Sequence, residues 1–115
     1  MKNKNISKEN YLERIPSRAE HFKWAADDSG VITFQIENKG AFNRIAQKFF
    51  KKPRISYVHL DEMGSFIWPL IDGEKSILQI GGYVEKHFGE KANPLYERLA
   101  KYFQILDSYG FIKWN

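Results

Sequence analysis

The chain has 115 residues, of which 43% are hydrophobic and 28% charged. That is ordinary globular usage, enough for one modest core, and it excludes a disordered polymer or a membrane bundle. Uncharged runs fall well short of the roughly 20 apolar residues a spanning helix needs, and the opening MKNKNISKEN lacks the apolar stretch of a secretory signal. With no targeting signal, a cytoplasmic location is the expectation; with no cysteine in the chain, disulfides, thiolate metal sites and cysteine nucleophiles are excluded.

Net charge is +4, and its distribution is uneven. Residues 39–54 carry Lys39, Arg44, Lys48, Lys51, Lys52 and Arg54 with no acidic residue, so the remaining 12 basic residues face 14 acidic ones. One segment therefore supplies the basicity.

Residues 1–20 read as a flexible N-terminal segment with a helical turn around Tyr11, Leu12 and Ile15, ahead of Pro16. In HFKWAADDSGVITFQIEN, two runs are joined by Asp27-Asp28-Ser29-Gly30, a hairpin signal. Ile32, Phe34 and Ile36 alternate with Thr33, Gln35 and Glu37, which predicts a half-buried second strand. After Gly40 the period changes. Phe42, Ile45, Ala46 and Phe49 follow helical spacing, so a basic amphipathic helix is expected within an insertion over 39–54, closed ahead of Pro53. RISYVHL is then a third strand, with Val58 and Leu60 on one face and Ile55, Tyr57 and His59 on the other.

Asp61 is placed to cap a helix that carries Met63, Phe66, Ile67, Leu70 and Ile71 in one stripe, with Pro69 kinking it or opening its final turn. Ser76 caps a second helix bearing Ile77, Ile80, Val84 and Phe88 and closed by Gly89; within it Gly81-Gly82 marks close helix packing. Asn93 and Pro94 are expected as N-cap and N1 of a third helix with Leu95, Leu99, Tyr102, Phe103 and Leu106, and FIKW adds a final short strand. The order reads as a single α+β domain over 21–115: a winged-helix-like, three-stranded antiparallel sheet packed on three C-terminal helices, with an extra helix inserted between the second and third strands.

Chemistry is sparse. His21, His59 and His87 have no metal-ligand spacing and read as surface residues. Asp27-Asp28 and Asp61-Glu62 are explained by turn formation and helix capping. No phosphate loop, nucleophile triad or HExxH signature is present, so no catalytic residue, metal or cofactor is expected. The basic segment is either a solvated helix face or, through Arg44, Lys48, Lys51, Lys52 and Arg54, a docking surface for an acidic partner protein. A winged helix could place its third helix in DNA. Its exposed Glu97, Arg98, Lys101, Gln104 and Asp107 are nearly balanced in charge, which argues against nucleic acid as a partner.

From Phe22 to Ile112 the chain resembles the PqqD-like family, named for pyrroloquinoline quinone biosynthesis protein D, whose fold is also called the RiPP recognition element. The resemblance is carried by HLDEMGSFIWPLIDG, SILQIGGYVEKHFG and LAKYFQILDSYGFI. It implies a non-catalytic peptide chaperone. Such a protein holds the leader of a ribosomally made precursor peptide and presents it to a modifying enzyme, often a radical S-adenosylmethionine protein. The leader is implied to add as a strand on the edge of the third strand, at Ser56, Tyr57, Val58 and His59, in a groove walled by Arg98, Lys101, Tyr102 and Ile105. Main-chain bonds then supply affinity and side-chain pockets selectivity. An open edge of this kind can also pair with its own copy in a two-fold dimer. The insertion over 39–54 departs from the family pattern. A scaffold that docks a partner through that segment, without any precursor peptide, is the alternative reading.

Overall fold

The alternating segment around Phe34 becomes the central strand of the structure. The computed structural model describes residues 11–37 and 55–115. Its strands are β1 (Pro16–Arg18), β2 (Lys23–Ala26), β3 (Ile32–Glu37), β4 (Ile55–His59) and β5 (Ile112–Trp114). They form a three-stranded antiparallel sheet in the order β2-β3-β4 and a separate two-stranded ribbon of β1 with β5. The β2–β3 turn is built by Asp27, whose carboxylate accepts from the N–H groups of Ser29 and Val31 at 2.8 and 3.0 Å. Gly30 supplies the positive φ of +88° that the turn requires.

Side-chain alternation on β3 holds at Ile32 and Phe34, whereas Ile36 is only half-buried. Ile32 and Phe34 are buried, and the β3–β4 register opposes Phe34 to Val58 and Thr33 to His59. Phe34 is the hub of an aromatic cluster, with ring centroids 4.6 Å from Trp68, 4.6 Å from Phe111 and 5.0 Å from Phe22.

Three α-helices follow among the described residues: α1 (Glu62–Ile67), α2 (Ile77–Phe88) and α3 (Leu95–Ser108). Asp61 caps α1, its Oδ1 accepting from the Gly64 N–H at 2.7 Å. Pro69 falls in a 3-10 turn, Trp68–Leu70, which ends the helical stretch. This is the final-turn alternative, and it suits a residue with no N–H to donate. The stripe expected on this stretch is displaced, however. Ile67 and Ile71 are buried, whereas Phe66 is only half-buried and lies flat against His87 at 4.4 Å; Trp68 takes the deepest position instead. Trp68 opens the 3-10 turn, where the winding leaves the 3.6-residue period, whereas Phe66, still within α1, packs on His87 of α2.

Ser76 caps α2 through a reciprocal capping box with Gln79, and Gly89 closes the helix. Gly81 permits α2 to approach α3: a Cβ there would stand 2.8 Å from Leu99 Cδ1. Gly82 is open, so only the first glycine of the pair serves packing. At the start of α3 the cap differs from expectation. Pro94 occupies the cap position, and the Asn93 side chain makes no capping bond. Leu95, Leu99, Phe103 and Leu106 are buried as expected, and the Tyr102 ring is half-buried.

Ser65 ties α1 to the sheet. Its hydroxyl accepts from the Ile32 N–H at 2.9 Å and donates to the Leu60 carbonyl at 3.3 Å, replacing half of the rung in which Leu60 N–H reaches the Ile32 carbonyl at 2.8 Å. Replacing Ser65 with alanine leaves a buried donor without its acceptor. The expected result is a loss of about 1–3 kcal/mol in unfolding free energy, seen as a lower urea midpoint. An unchanged midpoint would mean that the rung closes without the hydroxyl.

The N-terminal expectation needs correction where residues are described. The segment from Tyr11 to Ala19 is part of the packed fold. Tyr11 and Leu12 lie against the core, Pro16 and Ala19 are buried, and β1 pairs with β5 from Pro16↔Trp114 to Arg18↔Ile112. Its backbone also bonds to the α1–α2 connection, with Ile77 N–H donating to Arg14 and Gly73 N–H to Pro16. Among the described residues, helix is seen at Tyr11 and Leu12. Burial raises the Tyr11 phenol to about 12, with Asp107 adding to the shift. Residues 1–10, and the helix expected over 39–54, lie outside the described residues.

Candidate functional site

β4 is one of the two outer strands of the main sheet, β2 being the other, and it is β4 that runs into Leu60 and Asp61. Among the described residues no strand pairs with its outer side. In an antiparallel pair, backbone-bonded rungs alternate with unbonded ones. Because Leu60 N–H donates to Ile32, the bonded rungs continue at Phe34/Val58 and Ile36/Ser56 in the observed register. The other edge of β3 agrees. Asp27 N–H donates to Val31, which puts the backbone groups of Thr33 and Gln35 toward β2. It follows that Tyr57 and His59 turn their N–H and C=O groups outward from the sheet edge. The Tyr57 side chain is 60% exposed. His59 sits on an unbonded rung, where side chains approach most closely, and its Nδ1 lies 2.7 Å from Thr33 Oγ1.

At the end of this edge lies a notch of about 200 Å³ between α1 and α3, lined by Asp61, Met63, Gly64, Ile67, Arg98, Lys101, Tyr102 and Ile105. The four α3 residues fall at i, i+3, i+4 and i+7, one face of the helix. All four that the sequence resemblance implicated are thus brought together. The strand residues Ser56, Tyr57, Val58 and His59 do not line the notch itself; they form the edge that leads to it.

The opposite wall, from α1, was missed. Asp61 explains itself as a cap, which hid its second position. Gly64 was the available signal: a glycine inside a short helix costs about 1 kcal/mol against alanine, so it needs a packing reason. That reason is visible. A Cβ at Gly64 would sit 3.1 Å from the Tyr102 ring and 3.0 Å from Asp61 Oδ1. The Tyr102 hydroxyl donates to the Gly64 carbonyl at 2.9 Å, closing the notch floor. Burial, with Asp61 nearby, pushes the Tyr102 phenol far above its ordinary pKa, so it remains a neutral donor.

The rim is cationic. Arg98 and Lys101 are exposed, and neither is paired with a carboxylate among the described residues. Arg98 is steadied by donating to the Lys91 carbonyl at 2.8 Å. Arg44, Lys48, Lys51, Lys52 and Arg54, expected to dock a partner, lie outside the described residues.

A larger opening of about 580 Å³ lies on the β1–β5 side, lined in part by Arg18, Glu20, Trp24, Asp72, Lys113 and Asn115. Several of its polar groups serve the fold. Arg18 donates to the Ile71 and Pro69 carbonyls at 2.7 and 3.3 Å, and Asn115 donates to Gly73 at 2.8 Å. Asp72 is bonded to Lys75 at 2.6 Å, and this bond, with the N–H groups of Glu74 and Lys75, holds its carboxyl far below the ordinary range. The notch beside the free edge is therefore the better candidate. Among the described residues no helix is long and apolar enough to cross a membrane. The exposed positions of His21, His59 and His87 agree with their reading as surface residues.

Residues 52–112, a little over half of the chain, match the family model described as Coenzyme PQQ synthesis protein D (PqqD). The match takes in β4, all three helices and the entry to β5. No curated protein and no solved structure matches.

Proposed function

The chain belongs to the PqqD family, and from that premise we propose that it is a non-catalytic peptide chaperone that holds a precursor's leader by strand addition to β4. The observation that carries this reading is the outward aim of the Tyr57 and His59 backbone groups beside the α1–α3 notch. An extended peptide laid on that edge gains up to four main-chain bonds and sets alternate side chains toward the helices. Its client enzyme is a peptide-modifying protein, of radical S-adenosylmethionine type by family analogy. Ordering a flexible leader offsets much of the contact energy, so affinity is expected in the micromolar range, about −8 kcal/mol.

Amide hydrogen exchange of the full chain tests the reading, with a synthetic peptide obtained by selection from a random dodecapeptide display library. In the free protein, Tyr57 and His59 should exchange quickly, while Val58 and Leu60 are already protected by β3. Bound peptide should slow exchange at Tyr57 and His59. Protection elsewhere with no change at these two amides would rule out strand addition on β4.

A further inference from the structure

The strand edge offers only backbone groups, which every peptide can match, so sequence preference has to come from side chains beside it. We propose that the α1–α3 notch reads a two-residue signature: one large apolar side chain, and a carboxylate two positions away on the same face of the extended peptide. This rests on the peptide-binding reading above and specifies the ligand class it would take.

Three observations converge. First, the notch has room for a side chain but is small. Its 200 Å³ is below the roughly 300–1,000 Å³ of small-molecule pockets. Its floor is apolar, made by buried Ile67 and Gly64 with half-buried Met63 and Tyr102, while Ile105 stands 46% exposed at its mouth. A solvated Ile105 gains by being covered.

Second, the charges at its rim are unequal in availability. Asp61 has its Oδ1 committed to the Gly64 N–H, whereas Arg98 and Lys101 have no carboxylate partner among the described residues. The Arg98–Lys91 bond leaves most of the guanidinium donors unspent. A peptide carboxylate supplies the missing partner, and the hydrogen bonds it accepts are charge-assisted.

Third, the spacing agrees. Lys101 and Ile105 are four residues apart on α3, about 6 Å along its axis. Two residues of an extended strand advance about 6.7 Å and point to the same side. A peptide lying along α3 can therefore cover Ile105 with one side chain and meet Lys101 with the next on that face.

The test is a display selection on the immobilised full chain with a random dodecapeptide library, run in parallel on the wild type, Lys101→Glu and the double variant Arg98→Glu/Lys101→Glu. Wild type should enrich Leu, Ile, Phe or Met with Asp or Glu two positions away. The double variant should keep the apolar residue and shift the ratio of Asp and Glu to Lys and Arg at the second position by at least tenfold toward the bases. Lys101→Glu, which breaks no hydrogen bond of the fold, should shift it in the same direction. Enriched peptides without that spacing, or an acidic preference that survives both charge reversals, overturn the proposal while leaving strand addition in place. No enriched peptide at all removes the peptide-binding reading together with it.

Discussion

Replacing Tyr57 with proline is expected to weaken peptide capture tenfold or more while leaving the fold intact, whereas the same change one residue later, Val58→Pro, is expected to unfold the sheet edge. The two positions differ in which way their backbone N–H points. Val58 lies on a bonded rung opposite Phe34, so proline there removes a ladder bond next to the aromatic hub. Tyr57 lies on an unbonded rung opposite Gln35, and its N–H faces the open edge. Proline is tolerated on an edge strand when its missing donor faces solvent. Its fixed φ is also compatible with extended backbone. The lesion at Tyr57 therefore falls on the docking edge alone: one peptide-facing donor is lost and the ring obstructs an incoming strand. Tenfold corresponds to about 1.4 kcal/mol, near the upper end of what one main-chain bond contributes. Fluorescence anisotropy with a labelled selected peptide, beside urea unfolding of both variants, reads the contrast. If Tyr57→Pro binds like wild type while remaining folded, the peptide does not use this edge.

What could be read from the sequence separates along a physical line. Local signals survived well. The Asp27 turn, the alternation at Ile32 and Phe34, the Asp61 and Ser76 caps and the apolar stripes of α2 and α3 each depend on residues a few positions apart. Pairings between distant segments did not. Pro16-Ser17-Arg18 has no apolar alternation, and its strand exists because Trp114, Lys113 and Ile112 meet it from the far end of the chain. The same holds for Asn93, a good capping residue in isolation whose side chain makes no capping bond. For the site, residue identities on α3 came from family resemblance, since Arg98, Lys101, Tyr102 and Ile105 show only helical spacing by themselves. The α1 wall was hidden because Asp61 and Met63 already had local explanations. Gly64 alone carried a local inconsistency, and it lies where the Tyr102 ring of α3 packs against α1.

Trp68 is where fold and site should prove inseparable. It is fully buried, with its ring 4.6 Å from Phe34, 5.9 Å from Trp24 and 6.0 Å from Phe22. Trp68→Ala should cost about 3–5 kcal/mol, a large share of the roughly 5–15 kcal/mol that holds a domain folded. At about 4 °C per kcal/mol, the melting temperature should fall by roughly 12–20 °C. Trp68→Phe should be far milder, about 1–2 kcal/mol. Much of the ring packing is kept, and the indole N–H has no acceptor among the described residues, so removing it forfeits no bond. Equal damage from both substitutions would mean that the indole nitrogen is satisfied after all. The functional consequence follows from position. Trp68 succeeds Ile67 directly, and Ile67 with Gly64 and Met63 forms the α1 wall of the notch. Loosening this turn should thus weaken peptide binding even in molecules that stay folded. Val84→Ala, a core truncation on α2 away from the notch, should lower stability without that effect. Calorimetric melting of the three variants, with peptide titration at a temperature where all are folded, separates the two roles. Equal affinities for Trp68→Phe and Val84→Ala would show that α1 carries the core without shaping the site.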